Sequence, residues 1–135
     1  MQWILPLLVA AHVIPGVFWA GTTFVLARLG GVGAEQFGQP QMGAATTTIL
    51  AGAILWGLKH GTAFGRYEEI LALGAVCAIA AAGVQSAIGM PAIRRLGTAG
   101  EAEARNYRAR IAFSQRVATP LLIITVLCMV TAQYL

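Results

Sequence analysis

No charged side chain occurs in this chain before Arg28. The run from Trp3 to Ala27 is therefore uninterrupted by anything that demands water. At about 1.5 Å per residue in a helix, it is long enough to cross a hydrocarbon core of about 30 Å. A secretory signal would need a positive start and an apolar stretch of only about 7–15 residues, so the run reads as a resident membrane helix.

Three more segments share this character. The second begins near Met42 and continues through "AATTTILAGAILWGL"; because "GTAF" after His60 carries no charge, it extends to about residue 64. The third is "ILALGAVCAIAAAGVQSAIGM", residues 70–90, and the fourth is residues 111–134, with Arg116 near its start placed to snorkel to the interface. Composition agrees: 10% of residues are charged and 58% hydrophobic, whereas soluble domains carry roughly 25% charged residues. The fold class expected is an all-α integral membrane protein, one four-helix transmembrane domain over residues 1–135 with helices at about 3–27, 42–64, 70–90 and 111–134. In a soluble protein a net charge of +4 would suggest nucleic acid. Here the arginines flank apolar segments, so the partner expected is the lipid bilayer and no nucleic acid.

Arginine placement sets an orientation. Arg28 lies between the first two helices, and Arg94, Arg95, Arg105, Arg108 and Arg110 lie in the connection 91–110; the other side carries only Lys59 and Arg66. The positive-inside rule puts the connection 91–110 in the cytoplasm and both termini on the periplasmic or outer side. The localisation expected is a bacterial inner membrane, crossed several times. Within the connection, "GEAEARNYRARI" reads as a short interfacial stretch. Small residues sketch the packing: Ala78, Ala82 and Ser86 with Gly83 on the third helix, and Gly57 and Gly61 in a GxxxG arrangement on the second. So many small residues are also compatible with a homo-oligomer. Cys77 and Cys128 form no CxxC pair and read as small buried hydrophobes. No P-loop, GxGxxG, nucleophile elbow or zinc-ligand cluster occurs.

Polar residues inside a membrane are costly and therefore candidates for function. The set is His12, the threonines, Lys59, His60, Gln85, Ser86, Gln115 and Arg116. Threonines in such helices often bond their own preceding turn and are set aside. Only the two histidines are ordinary ligands for a transition metal or heme iron. His12 shares a helical stripe with Gly16, Trp19 and Thr23. Gly16 would leave room for a flat ring, and Trp19 would offer it a surface. His60 lies beside Gly57 and Gly61, which would leave similar space. Two helices that each present a histidine beside glycines suit a b-type heme between them. His12 would lie about 14 Å below the outer edge and His60 about 8 Å deep if its helix runs on past Phe64. The structural alternative for His12 is a hydrogen bond to a polar group such as Gln85. For His60 it is an interfacial position beside Lys59.

The segment "LPLLVAAHVIPGVFWAGTTFVLARL" resembles the first helix of small bacterial membrane proteins related to HemJ-type protoporphyrinogen oxidases and CopD-type copper-resistance proteins. The features shared are His12, the step Trp19-Ala20-Gly21 and the closing Arg28. "GTAFGRYEEILALGAVCAIAAAG" resembles the entry into the third helix of CopD-type domains. The resemblance implies a four-helix bundle holding heme b or copper in the membrane, with His12 and then His60 as ligands. It implies electron transfer or porphyrin or quinone redox chemistry, hence an oxidoreductase or its redox partner. The alternative is a non-redox membrane protein of copper transport, resistance or assembly.

Overall fold

The computed structural model describes residues 1–135 and contains helices and no strands. Four helices are long and apolar enough to cross a membrane: α1 (Ile4–Arg28), α2 (Ala34–Lys59), α3 (Arg66–Leu96) and α4 (Glu101–Ala132). Within α3 a π-helical turn, Gln85–Gly89, separates Arg66–Val84 from Met90–Leu96. The helix α1 packs on α2 and α4, and α3 packs on α4, while α2 and α3 touch little.

The helix ends differ from the sequence reading in three places, each with a local cause. The α2 helix starts at Ala34, because the left-handed glycines Gly30, Gly31 and Gly33 turn the chain within a few residues. Gly31 is needed there: a Cβ would lie 3.0 Å from the Arg108 carbonyl oxygen. At its other end α2 stops at Lys59 rather than near residue 64. His60 is the cap, and Gly61, at φ +55°, returns its N–H to the Trp56 carbonyl in a left-handed glycine stop. The connection 91–110 is mostly helix. Only Gly97 to Gly100 separates α3 from α4, and "EAEARNYRARI" is the first part of α4 instead of a separate interfacial stretch. Glu, Ala and Arg are strong helix formers, and the acidic first turn suits a helix N-terminus.

The interior is made largely of alanine and glycine. One cluster joins Trp19, Ala45, Ala78, Ala81, Ala118 and Leu122 across all four helices. A second, toward the basic end, joins Leu26, Ala34, Ala92, Leu96 and Ile111. On α3 the inward stripe runs through Gly74, Ala78, Ala81 and Gln85, while Ser86 and Gly83 face outward. Gly74 lets α4 approach until its Cβ position lies 3.0 Å from Cys128 Cβ, so Cys128 is a packed core residue. Gly57 has no atom within 4 Å of its Cβ position and Gly61 lies beyond the helix end, so this GxxxG pair packs nothing within the chain. Outward faces carry large apolar side chains such as Ile14, Val17, Leu50 and Leu127, a surface suited to lipid.

At mid-bundle, one polar network ties the four helices together. The Trp19 indole N–H donates to Gln85 Oε1 at 2.7 Å. Gln85 Nε2 donates to Thr23 Oγ1 and to Gln115 Oε1, each at 2.9 Å. Gln41 and Gln115 exchange amide hydrogen bonds at 3.1 and 3.0 Å, and Gln41 Nε2 also reaches Thr23 Oγ1 at 3.1 Å. The residues are buried, and every polar atom in the group has a partner. Gln85 stands at the start of the π turn, a local widening of the helix.

Candidate functional site

His12 lies in the seam between α1 and α2, where its Nδ1 is 2.8 Å from the Thr48 carbonyl oxygen. A carbonyl can only accept, so Nδ1 carries a proton, and in the neutral ring Nε2 is then the nitrogen with the lone pair. The seam admits the ring because α2 has a glycine opposite it. A Cβ on Gly52 would come within 2.9 Å of His12 Cε1. One turn along α1, a Cβ on Gly16 would come within 3.3 Å of Thr48 Cγ2. Two glycines on facing helices thus let His12 and Thr48 interlock.

Thr48 itself is unusual. Thr22, Thr23, Thr46, Thr47 and Thr119 each donate to a carbonyl in their own preceding turn, as membrane-helix threonines commonly do. Buried Thr48 Oγ1 has no hydrogen-bond partner, alone among the buried side-chain polar atoms of the chain. The same seam therefore holds an unpartnered buried hydroxyl and an imidazole anchored through one of its two nitrogens. Reading threonines as self-satisfied hid Thr48. Its clue in the sequence was the spacing Thr48-Gly52 on α2 against His12-Gly16 on α1.

The other residues singled out by sequence do not converge on His12. His60 caps α2 eight residues beyond Gly52, about 12 Å farther along the helix axis. Imidazoles sharing one metal need nitrogens within about 4 Å, two bonds of roughly 2 Å each. His60 is instead part of a cluster at the α2–α3 turn. Its Nδ1 is 2.8 Å from Glu68 Oε1, and its ring stacks on Tyr67 with centroids 5.0 Å apart and lies 5.6 Å from Trp56. Gly57 and Gly61 border open space there rather than a slot. The slot anticipated along Gly16 and Trp19 is filled by the protein itself: Thr48 covers Gly16, and Trp19 is 2% exposed in the core. The partner anticipated for His12 also differs, since Gln85 bonds Trp19, Thr23 and Gln115. Gln41, which the sequence reading passed over, completes that network because α2 starts early enough to place it in the bundle.

No cluster of three or more His, Cys, Asp or Glu side chains that could hold a metal ion forms. Comparisons with protein-family models, curated proteins and solved structures return no match to this chain.

Proposed function

We propose that this chain is a multi-pass protein of a bacterial inner membrane, with both termini on the outer side, that binds heme b through His12. Its role in this reading is electron transfer or porphyrin or quinone redox chemistry, in keeping with its resemblance to HemJ- and CopD-type proteins. The observation that carries the reading is the hydrogen bond from His12 to the Thr48 carbonyl. Metal-binding histidines typically donate their second ring N–H to a carbonyl or carboxylate, which fixes the tautomer and aims the free nitrogen. His12 has that arrangement in an apolar setting, where an unpaired imidazole nitrogen would otherwise be a cost.

The residues suit a group held by one histidine at the α1–α2 seam and do not suit one gripped by both histidines inside the bundle. His12 would hold the group, Gly52 would leave its ring room, and Thr48 would orient it through the carbonyl. The Thr48 hydroxyl is buried in the same seam against Gly16. Exposed Leu5 and Val9, on the preceding turns of α1, extend an apolar flank beside it. Bound heme would supply a one-electron Fe(III)/Fe(II) couple; the chain's own part is to hold the ligand, fix its proton on Nδ1 and keep water from it.

The test is the optical spectrum of full-length protein purified in detergent. A Soret band with α and β bands on reduction is expected, and His12→Ala should lose it while the protein keeps its helical circular dichroism. A colourless preparation carrying stoichiometric copper would favour the copper reading instead. Full heme occupancy in His12→Ala would overturn the assignment.

A further inference from the structure

At the basic end, a groove between α1 and α4 combines two free guanidinium groups with an apolar channel. Its head is an open cavity of about 410 Å³ lined by Phe24, Ala27, Arg28, Arg116, Thr119 and Pro120. It adjoins a second cavity of about 240 Å³ that shares Phe24 and Thr119 and continues along Leu122, Ile123 and Val126. Arg116 reaches the head by donating from Nε to the Ala27 carbonyl at 3.4 Å. That bond to the C-terminal turn of α1 leaves both terminal nitrogens of Arg116 for another acceptor.

Nothing in the chain neutralises these two arginines. The chain has five glutamates and no aspartate. Glu35 pairs with Arg108 and Glu68 with His60. Glu69 is at the opposite end of the bundle, near the start of α3. Glu101 and Glu103 begin α4, and Glu103 is thirteen residues before Arg116, about 20 Å along the axis. A positive head joined to an apolar trough has the polarity of an anionic phospholipid, phosphate at the arginines and acyl chain along Leu122 and Val126. Basic pockets between membrane helices at the cytoplasmic side are suited to such headgroups.

We propose that the α1–α4 groove is a specific seat for one anionic phospholipid of the surrounding leaflet, held through its phosphate by Arg28 and Arg116. This rests on the membrane reading above and is independent of heme binding. The experiment has two arms on the full chain. Flotation with phosphatidylcholine vesicles tests membrane insertion alone. Native mass spectrometry after mixed-micelle exchange then compares phosphatidylglycerol with phosphatidylcholine on wild type, Arg116→Gln, Arg28→Gln and, as a control at the other end, Arg66→Gln. Selective retention of phosphatidylglycerol is expected in wild type and Arg66→Gln, with a fall of about fivefold for each groove arginine removed. Equal retention of the two lipids, or phosphatidylglycerol retained undiminished by both groove variants, would overturn the seat while leaving the membrane reading intact. Failure to float would sink both.

Discussion

The bundle holds two groups of polar side chains, and they are built on opposite rules. Around Gln85 every donor meets an acceptor: Trp19, Thr23, Gln41, Gln85 and Gln115 close on one another across four helices. At His12 the closure is deliberately incomplete, with Nδ1 anchored on Thr48 and the Thr48 hydroxyl left without a partner. A saturated network in an apolar interior contributes register and rigidity and offers nothing to a ligand. An anchored group with a free lone pair is what a ligand needs. The contrast separates what holds this fold together from what the fold can do.

The sharpest way to break the contrast is Gln85→Leu. It removes the acceptor of the Trp19 indole, leaving that buried N–H unmet, and takes one of two amide donors from Thr23 and from Gln115, which keep Gln41. The orphaned indole costs about 1–3 kcal/mol, and the links from α3 to α1 and α4 through this amide go with it, so thermal unfolding in detergent should show the largest loss of any single change considered. Heme bound per folded protein should stay at the wild-type level, because Gln85 makes no bond to His12. Loss of heme without loss of stability would mean that the network belongs to the site.

Next in size is Gly52→Ala. The new Cβ would lie 2.9 Å from His12 Cε1, and a ring tethered to the Thr48 carbonyl has little freedom to retreat. Overpacking of this kind costs about 1–3 kcal/mol, and the displaced imidazole should bind heme less well. Gly16→Ala, at 3.3 Å from Thr48 Cγ2, should do less, and Gly57→Ala, with nothing within 4 Å, should leave the spectrum unchanged. Heme occupancy falling equally in all three would remove the distinction between seam glycines and surface glycines.

How much of this was legible beforehand follows from which residues act locally. Four apolar runs and the candidacy of His12 depend on composition and spacing, so they stand in the sequence itself. The end of α2 at Lys59 depended on a left-handed glycine that an uncharged "GTAF" tail disguised. The early start of α4 was hidden because hydropathy reports what lipid tolerates, whereas Glu101 to Arg110 is helical by propensity. Partner choice was the least legible. Which acceptor His12 meets depends on the register of α1 against α2, and Thr48 with Gly52 fixes that register only once the helices are packed.

Thr48→Val tests the open site from the other side. It deletes a buried hydroxyl with no partner and keeps the shape of the side chain and the carbonyl that anchors His12. Unpaired buried polar groups are unfavourable by about 1 kcal/mol or more, so Tm should rise slightly. Heme affinity should fall at the same time if the hydroxyl contacts the bound group. A variant both less stable and unchanged in heme binding would mean that Thr48 serves packing alone.

The smallest spectral effect belongs to His60, which for that reason is the most discriminating variant. Its ring bonds Glu68, stacks on Tyr67 and caps α2 about 12 Å beyond the level of Gly52. His60→Ala should loosen the α2–α3 turn and lower Tm modestly, as should Glu68→Gln, which keeps the shape and removes the charge. Neither should move the Soret maximum or the reduced α band, since His60 lies too far along the helix to share iron with His12. If His60→Ala instead changes the spectrum, α2 must slide along α1 by roughly two turns when heme is bound, since about 12 Å of helix separates the two levels. That result would join the two histidines in one site and erase the division between the seam and the helix end.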